Sequence, residues 1–209
     1  MSVLVKICGL TNLDDTLDAV ELGADFLGFN FYPDSPRFIE PNDALDIIQE
    51  VPQQVKKVGI FVNQDPQTVI DTAVELQLDF LQFHGDESAD YCNAFGRPWI
   101  KAFRLRDESD LGKIAAYDSP WLLVDAYVEK AFGGTGVVSN WDLAKKAKKN
   151  GLLFLSGGLK PENVEQAISA VHPYAIDVAS GVEQAPGIKD RSKIAELIAR
   201  VKKIDISSL

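Results

Sequence analysis

The stretch that decides the fold is "VLVKICGLTNLDDTLDAVELGADFLGFNFY", residues 3–32. It opens with an alternating run (3–9) in which Val3, Val5 and Ile7 form one apolar row and Leu4, Lys6 and Cys8 the other. Period-two alternation marks a strand. "TNLDDTLDAVELG" (11–23) then carries a capping Asn, acidic residues in the first turn and a closing Gly, the signature of one helix from start to stop. A second apolar run, "FLGFNFY" (26–32), follows at once. Strand, helix, strand with short links is a parallel unit joined by a helical crossover.

The unit recurs to the end of the chain. Further strands are predicted at 57–63, 80–84, 99–105, 121–127, 152–158 and 175–181. The helical patterns between and after them are "PNDALDIIQEV", "DPQTVIDTAVEL", "DESADYCNAFG", "DESDLGKIAAY", "SNWDLAKKAKKNG", "KPENVEQAISAV" and "KDRSKIAELIARVKKI". Eight strands alternating with eight helices predict an α/β chain folded as one (β/α)₈ TIM barrel over residues 1–209. A doubly wound open sheet is the competing arrangement, but it calls for a Gly-rich turn after the first strand, and "CGLTN" has no GxGxxG.

Composition narrows the partners. The 209 residues carry a formal charge of −10, which speaks against nucleic acid and anionic membrane surfaces, both of which attract basic proteins. Cys8 and Cys92 form no disulfide framework and no CxxC, and with only His84 and His172 beside them a zinc site is not expected. The amino terminus lacks the apolar core and cleavage site of a secretory signal, so a cytoplasmic, reducing setting is expected. The expected partner is a small molecule, and the chain is expected to act as a monomer or a homodimer.

Strand parity then places the chemistry. One row of each barrel strand meets the helices and the other fills the interior. By that rule Cys8, Asp125, Tyr127 and Asp177 point inward, as do Lys6, Gln82, His84 and Lys101, and the polar ones collect near the carboxyl ends of the strands where barrel enzymes react. His84 reads as a hydrogen-bonded wall residue, Cys92 as helix packing, and Asp125 with Asp177 as a possible carboxylate pair. "FLSGGLKPENV" (154–164) and "DVASGVEQAPG" (177–187) end the last two strands in Gly-Gly and Ser-Gly. Such loops seat phosphate through backbone N–H groups. A helix starting near Pro161 and a short turn near "VEQ" are expected to complete that seat. "FYPDSPRFIEP" (31–41) is a stiff loop offering Arg37, whose planar fork suits a carboxylate. "AFGGTGVVSNW" (131–141) is glycine-rich and reads as a lid.

Taken together, "KICGLT", "GFNFYPDSPRFI", "VGIFVN", "LQFHGDES", "VDAY…FGGTG", "FLSGGLKPENV" and "DVASGVEQAPGIKD" closely resemble the phosphoribosylanthranilate isomerase family of tryptophan biosynthesis, across nearly the whole chain and in the family's order. The resemblance implies a barrel with no fused synthase and a cofactor-free, metal-free Amadori rearrangement of N-(5-phosphoribosyl)anthranilate. It implies Asp125 as general acid, Cys8 as general base and Arg37 on the anthranilate carboxylate. Gly157, Gly158, Ser180 and Gly181 fall in the phosphate segments, with Asp177 as a supporting polar group. Ala179 departs from a more usual serine, which removes a hydroxyl from the phosphate's surroundings. The base has to be partly ionised near neutrality, and Lys6, two residues back on the same face, is expected to lower its pKa. Burial or a neighbouring carboxylate would keep a proton on Asp125. Two other readings remain: a pentose-phosphate epimerase barrel, which usually wants metal ligands or paired carboxylates, and a non-catalytic barrel that binds a phosphorylated metabolite.

Overall fold

The computed structural model describes residues 2–126 and 138–204. Eight parallel strands close on themselves in sequence order: β1 (Leu4–Cys8), β2 (Phe26–Asn30), β3 (Lys56–Phe61), β4 (Phe80–Phe83), β5 (Trp99–Leu105), β6 (Trp121–Ala126), β7 (Leu152–Leu155) and β8 (Ala175–Val178), with β8 pairing back onto β1. The helices between them are α1 (Leu13–Leu22), α2 (Pro41–Ile48), α3 (Pro66–Glu75), α4 (Ala89–Asn93), α5 (Leu111–Ile114), α6 (Trp141–Ala147) and α7 (Val164–Val171), and α8 (Arg191–Lys202) ends the series. The expected (β/α)₈ barrel is what forms.

Local chemistry fixes the boundaries. The Asn12 side chain accepts the Asp15 N–H at the start of α1, and Gly23 closes the helix at φ 95°, a left-handed conformation that costs glycine little. Asp65, Ser88, Asn140 and Asp190 cap α3, α4, α6 and α8 in the same way. In α7 the expectation fails by one turn. Residues 161–163 form turns, Asn163 spends its side chain on Lys160 N and Gly158 O, and the helix proper starts at Val164.

Two apolar layers hold the barrel. Outside it, Val3, Val5, Ile7, Leu122, Val124, Ile176 and Val178 pack under the helices. Inside, Leu4, Phe26, Val58, Phe80, Ile100, Ala102, Leu123, Phe154 and Ala175 fill the lower part. The rings meet edge to face, Phe26 at 5.9 Å from Phe80 and 5.2 Å from Phe154 between centroids, an arrangement that suits the ring quadrupole. This aromatic plug closes the floor. Polar side chains take over towards the carboxyl ends of the strands.

One parity assignment is corrected. Lys101 is not inside the barrel. On β5 Ile100 and Ala102 belong to the interior, so Lys101 lies on the outer face with Trp99, Phe103 and Leu105. "WIKAFRL" has apolar residues in both rows, and the bulky row of Trp, Phe and Leu needs the wider space beneath the helices. The buried Lys101 ammonium is satisfied there by Phe83 O, Gly85 O and the Glu87 carboxylate at 3.0 Å. Arg104 occupies the inner row instead, in register with Asp125.

After β8 the chain makes a single 3₁₀ turn at Ser180–Val182 and then a small antiparallel hairpin of β9 (Glu183–Ala185) and β10 (Ile188–Lys189). The helical turn expected at "VEQ" is therefore displaced. It sits at Ser-Gly-Val, and Glu183 begins a strand because Pro186–Gly187, with Gly187 at φ 82°, folds the segment back. The lid segment lies mostly outside the described residues, as does Tyr127. Its last part enters α6, with Ser139 buried and its N–H directed at Gly157 O.

Candidate active site

Cys8 is the last residue of β1 and Asp125 the last but one of β6, and both belong to the inner rows of the barrel at its carboxyl end. Between them lies a polar layer. Lys6, with no exposed surface, donates to Asp177 Oδ1 at 2.7 Å, and Ser156 Oγ donates to Asp177 Oδ2 at 3.2 Å. A buried ammonium is tolerable only with such a partner. The Lys6 charge also bears on the Cys8 thiol, two residues along the same row.

Asp125 has different neighbours. Its Oδ1 accepts the Ala126 N–H at 2.8 Å, and Oδ2 lies 3.3 Å from His84 Nε2. Gln82 Nε2 lies 2.9 Å from His84 Nδ1. With the amide donating, the ring proton sits on Nε2 and faces the Asp125 carboxylate. His84 is thus a wall residue as expected, but one aimed at the candidate acid. Parity leaves an Asp125–Asp177 carboxylate pair open; in the structure Asp177 is bound by Lys6 and Ser156, while Asp125 lies against His84.

Arg37 is held twice. Its loop is pinned by Ser35 Oγ, which accepts the Arg37 N–H and the Asn30 amide, as the stiffness of Ser-Pro-Arg suggests. Its fork, however, is half engaged. Nε and Nη2 clasp Glu183 at 2.8 and 2.7 Å, so a ligand carboxylate has Nη1 to meet. The side chain runs across Gly9, where a Cβ would stand 2.5 Å from Arg37 Cδ. That contact, together with φ 75°, explains the glycine after the cysteine.

Glu183 and Lys189 are the residues that sequence reasoning missed. The Lys189 ammonium donates to Glu183 Oε1 at 2.7 Å and to the Cys8 carbonyl at 2.6 Å. A carboxylate and an ammonium six residues apart across a Pro-Gly turn are a hairpin signal that would have placed them side by side. Burial opposes ionisation of Glu183, but the hydrogen bond from Arg37 and the charge of Lys189 outweigh it and hold its carboxyl below the usual range.

Cys8 behaves otherwise than expected. Burial and the Asp177 charge push the thiol above its ordinary value, and the lowering influence of Lys6 and Lys189 does not overcome them. Lys6 acts in the anticipated direction and is outweighed by burial first and by the charge of Asp177 second. Cys92, fully buried in α4, is pushed up to about 12 by burial and is inert packing.

The glycine loops after β7 and β8 touch. Gly157 and Gly158 have left-handed φ of 89° and 60°, and a Cβ on Gly181 would lie 1.8 Å from Leu159 O. Only glycine lets the two backbones come so close.

A closed barrel with a half-buried thiol and a buried carboxyl at the carboxyl end of its strands, each beside a separate ionisable group, defines a (β/α)₈ enzyme built for acid–base chemistry. The family is then given by comparison with known proteins. Residues 5–200 match the family model of N-(5'-phosphoribosyl)anthranilate (PRA) isomerase. The isomerase of that name from Geobacter sulfurreducens is 51% identical over 200 residues, 96% of this chain and 98% of that one, and its Geobacter metallireducens counterpart is 50% identical over 96% and 99%. The crystal structure of phosphoribosyl anthranilate isomerase from Thermotoga maritima superposes with a TM-score of 0.90 at 42% identity, covering 97% of this chain and 100% of that chain. Another structure, of the isomerase in complex with reduced 1-(o-carboxyphenylamino)-1-deoxyribulose 5-phosphate, gives 0.87 at 41%, covering the same shares. The chain belongs to the phosphoribosylanthranilate isomerase family, the aldose–ketose isomerases of tryptophan biosynthesis.

Proposed function

We propose that this barrel converts N-(5-phosphoribosyl)anthranilate to 1-(2-carboxyphenylamino)-1-deoxyribulose 5-phosphate with Asp125 as general acid and Cys8 as general base. The Asp125 carboxyl gives its proton to the furanose ring oxygen as the C1–O bond breaks, and the anthranilate nitrogen lone pair forms the C1=N bond of a protonated imine. The Cys8 thiolate takes the C2 proton. The electrons of that C–H bond form C1=C2, and those of C=N return to nitrogen. The enol then loses its hydroxyl proton and gains one at C1, giving the ketone with no net change in atoms or electrons. No metal or organic cofactor has a step in this scheme.

The observation that carries this reading is the placement of Cys8 and Asp125 in the inner rows of β1 and β6, at the same end of the barrel. Arg37 Nη1 takes the anthranilate carboxylate, and Gly157, Gly158, Ser180 and Gly181 seat the phosphate where the two glycine loops meet. Asp177 supports the wall through Lys6 rather than touching the reacting carbons. The whole chain acts as one domain in a reducing, cytoplasmic compartment, as a monomer or a homodimer.

The test is the fluorescence decay of the substrate with purified protein. Positioned acids and bases contribute about 10²–10⁴-fold each, so Cys8→Ser and Asp125→Asn should each lose at least about 10²-fold in turnover while circular dichroism stays unchanged. Full turnover in both variants refutes the assignment.

A further inference from the structure

We propose that Glu183 is a positioning residue for substrate recognition: it locks the Arg37 guanidinium in one orientation beside the Gly9 turn that follows Cys8 and thereby sets the preference for a carboxylated aromatic amine. This role rests on the Arg37 reading above and on the geometry of one buried carboxylate. Four donors converge on Glu183. Oε1 accepts Arg37 Nε at 2.8 Å, Lys189 Nζ at 2.7 Å and Gly187 N at 3.3 Å, and Oε2 accepts Arg37 Nη2 at 2.7 Å. Its side chain is 5% exposed and that of Lys189 not at all.

Glu183 is the buried carboxylate that Arg37 and Lys189 share, so removing its charge would leave both cations without that partner. Lys189 also donates to the Cys8 carbonyl, and Nη1 is the edge of the Arg37 fork that Glu183 does not engage. That edge is the donor left to meet an anion. The clasp also removes rotamer freedom from a side chain that would otherwise lose it on binding. β9 and β10 exist to hold this arrangement: Glu183 and Lys189 are register partners across the hairpin. Thr11, just past β1, anchors its tip by donating to Gly187 O at 2.6 Å.

The experiment compares two substrates, the natural one and N-(5-phosphoribosyl)aniline, which lacks the carboxylate and forms from ribose 5-phosphate and aniline. The readout is the ratio of kcat/KM for carboxylated over carboxylate-free substrate. A hydrogen bond to a charged group is worth about 1.5–3 kcal/mol, so Arg37→Met should lower that ratio roughly tenfold or more. Glu183→Gln, nearly isosteric, should lower it in the same direction, chiefly through KM for the natural substrate, with kcat less affected. Glu183→Asp should recover part of the loss, and the double variant E183Q/R37M should match R37M, since the two residues act in series. If R37M lowers the ratio and E183Q leaves it unchanged, the positioning role is overturned while the Arg37 assignment stands. An R37M ratio equal to wild type overturns the Arg37 assignment and the inference with it. Should E183Q fail to fold by thermal melt, the comparison of E183D with wild type decides in its place: an unchanged ratio there overturns the role.

Discussion

Replacing Lys6 by Met is the sharpest probe of how the barrel holds charge. The Lys6 ammonium and Asp177 Oδ1 are 2.7 Å apart, with side chains 0% and 5% exposed. At an effective dielectric near 20, two unit charges at that distance attract by about 6 kcal/mol. Desolvating both ions takes back several kcal/mol each, so the intact pair contributes little net stability. Removing one partner is different, because the desolvation of the survivor is no longer offset. Lys6→Met keeps the volume and strands the Asp177 carboxylate, and about 3–5 kcal/mol of stability should go. The double variant K6M/D177L has no buried charge left and should return to within about 1 kcal/mol of wild type. Urea unfolding followed by tryptophan fluorescence measures all three proteins. A second readout is the Cys8 thiol, which should titrate higher in K6M because Lys6 is what pulls it down. The sign with pH is also fixed. Burial alone would lower the Lys6 pKa, but Asp177 raises it above the ordinary value. Its contribution is therefore fully present below about pH 10.4 and lost as pH rises through the folded value. A K6M protein within about 1 kcal/mol of wild type, with an unmoved thiol, refutes this account of the buried pair.

Three further outcomes follow from the same geometry. Cys8 is partly exposed and Cys92 fully buried, so a disulfide reagent should titrate one thiol in the native protein, with loss of activity, and the second only after denaturation. Two fast thiols would contradict this. If Cys8 is the base, its raised thiol makes kcat/KM keep climbing beyond about pH 8.5, the ordinary thiol value, and Asp177→Asn should move that limb downward by removing a raising charge. A plateau already at neutral pH would exclude Cys8 as the titrating group. Gly181→Ala puts a methyl where Leu159 O stands, 1.8 Å away, so the loops after β7 and β8 must part. Overpacking of this kind costs about 1–3 kcal/mol, and inhibition by inorganic phosphate should weaken with it. Unchanged phosphate inhibition would remove those loops from the phosphate seat.

Which features could be read from sequence follows from how local their causes are. The eight-unit alternation was legible because caps and periodicity are nearest-neighbour signals: Asn12, Gly23 and Asp65 declare their helices alone. Parity worked for β1, β6 and β8, where one row is wholly apolar. It failed at β5, where both rows are apolar and only the width of the space outside the barrel decides for Lys101. The inner-row placement of Cys8 and Asp125 came through. What each side chain touches did not, because partners such as Glu183 for Arg37 lie 146 residues away and no local pattern encodes them.

The small hairpin after β8 has one more consequence, in the order of events during synthesis. Its contacts, and those of β8, join residues 171 to 181 positions apart: Lys6 to Asp177, Thr11 to Gly187, Lys189 to the Cys8 carbonyl. Asp125 meets its neighbours Ala126 and His84 within the units made first, but the surroundings of Cys8 and Arg37 are incomplete until the final unit leaves the ribosome and zips onto the opening strand. Closing so large a loop is among the slowest steps a chain of this size faces. Catalytic competence thus arrives last, and a chain stopped a few dozen residues short would keep its chemical groups and lack the frame that aims them.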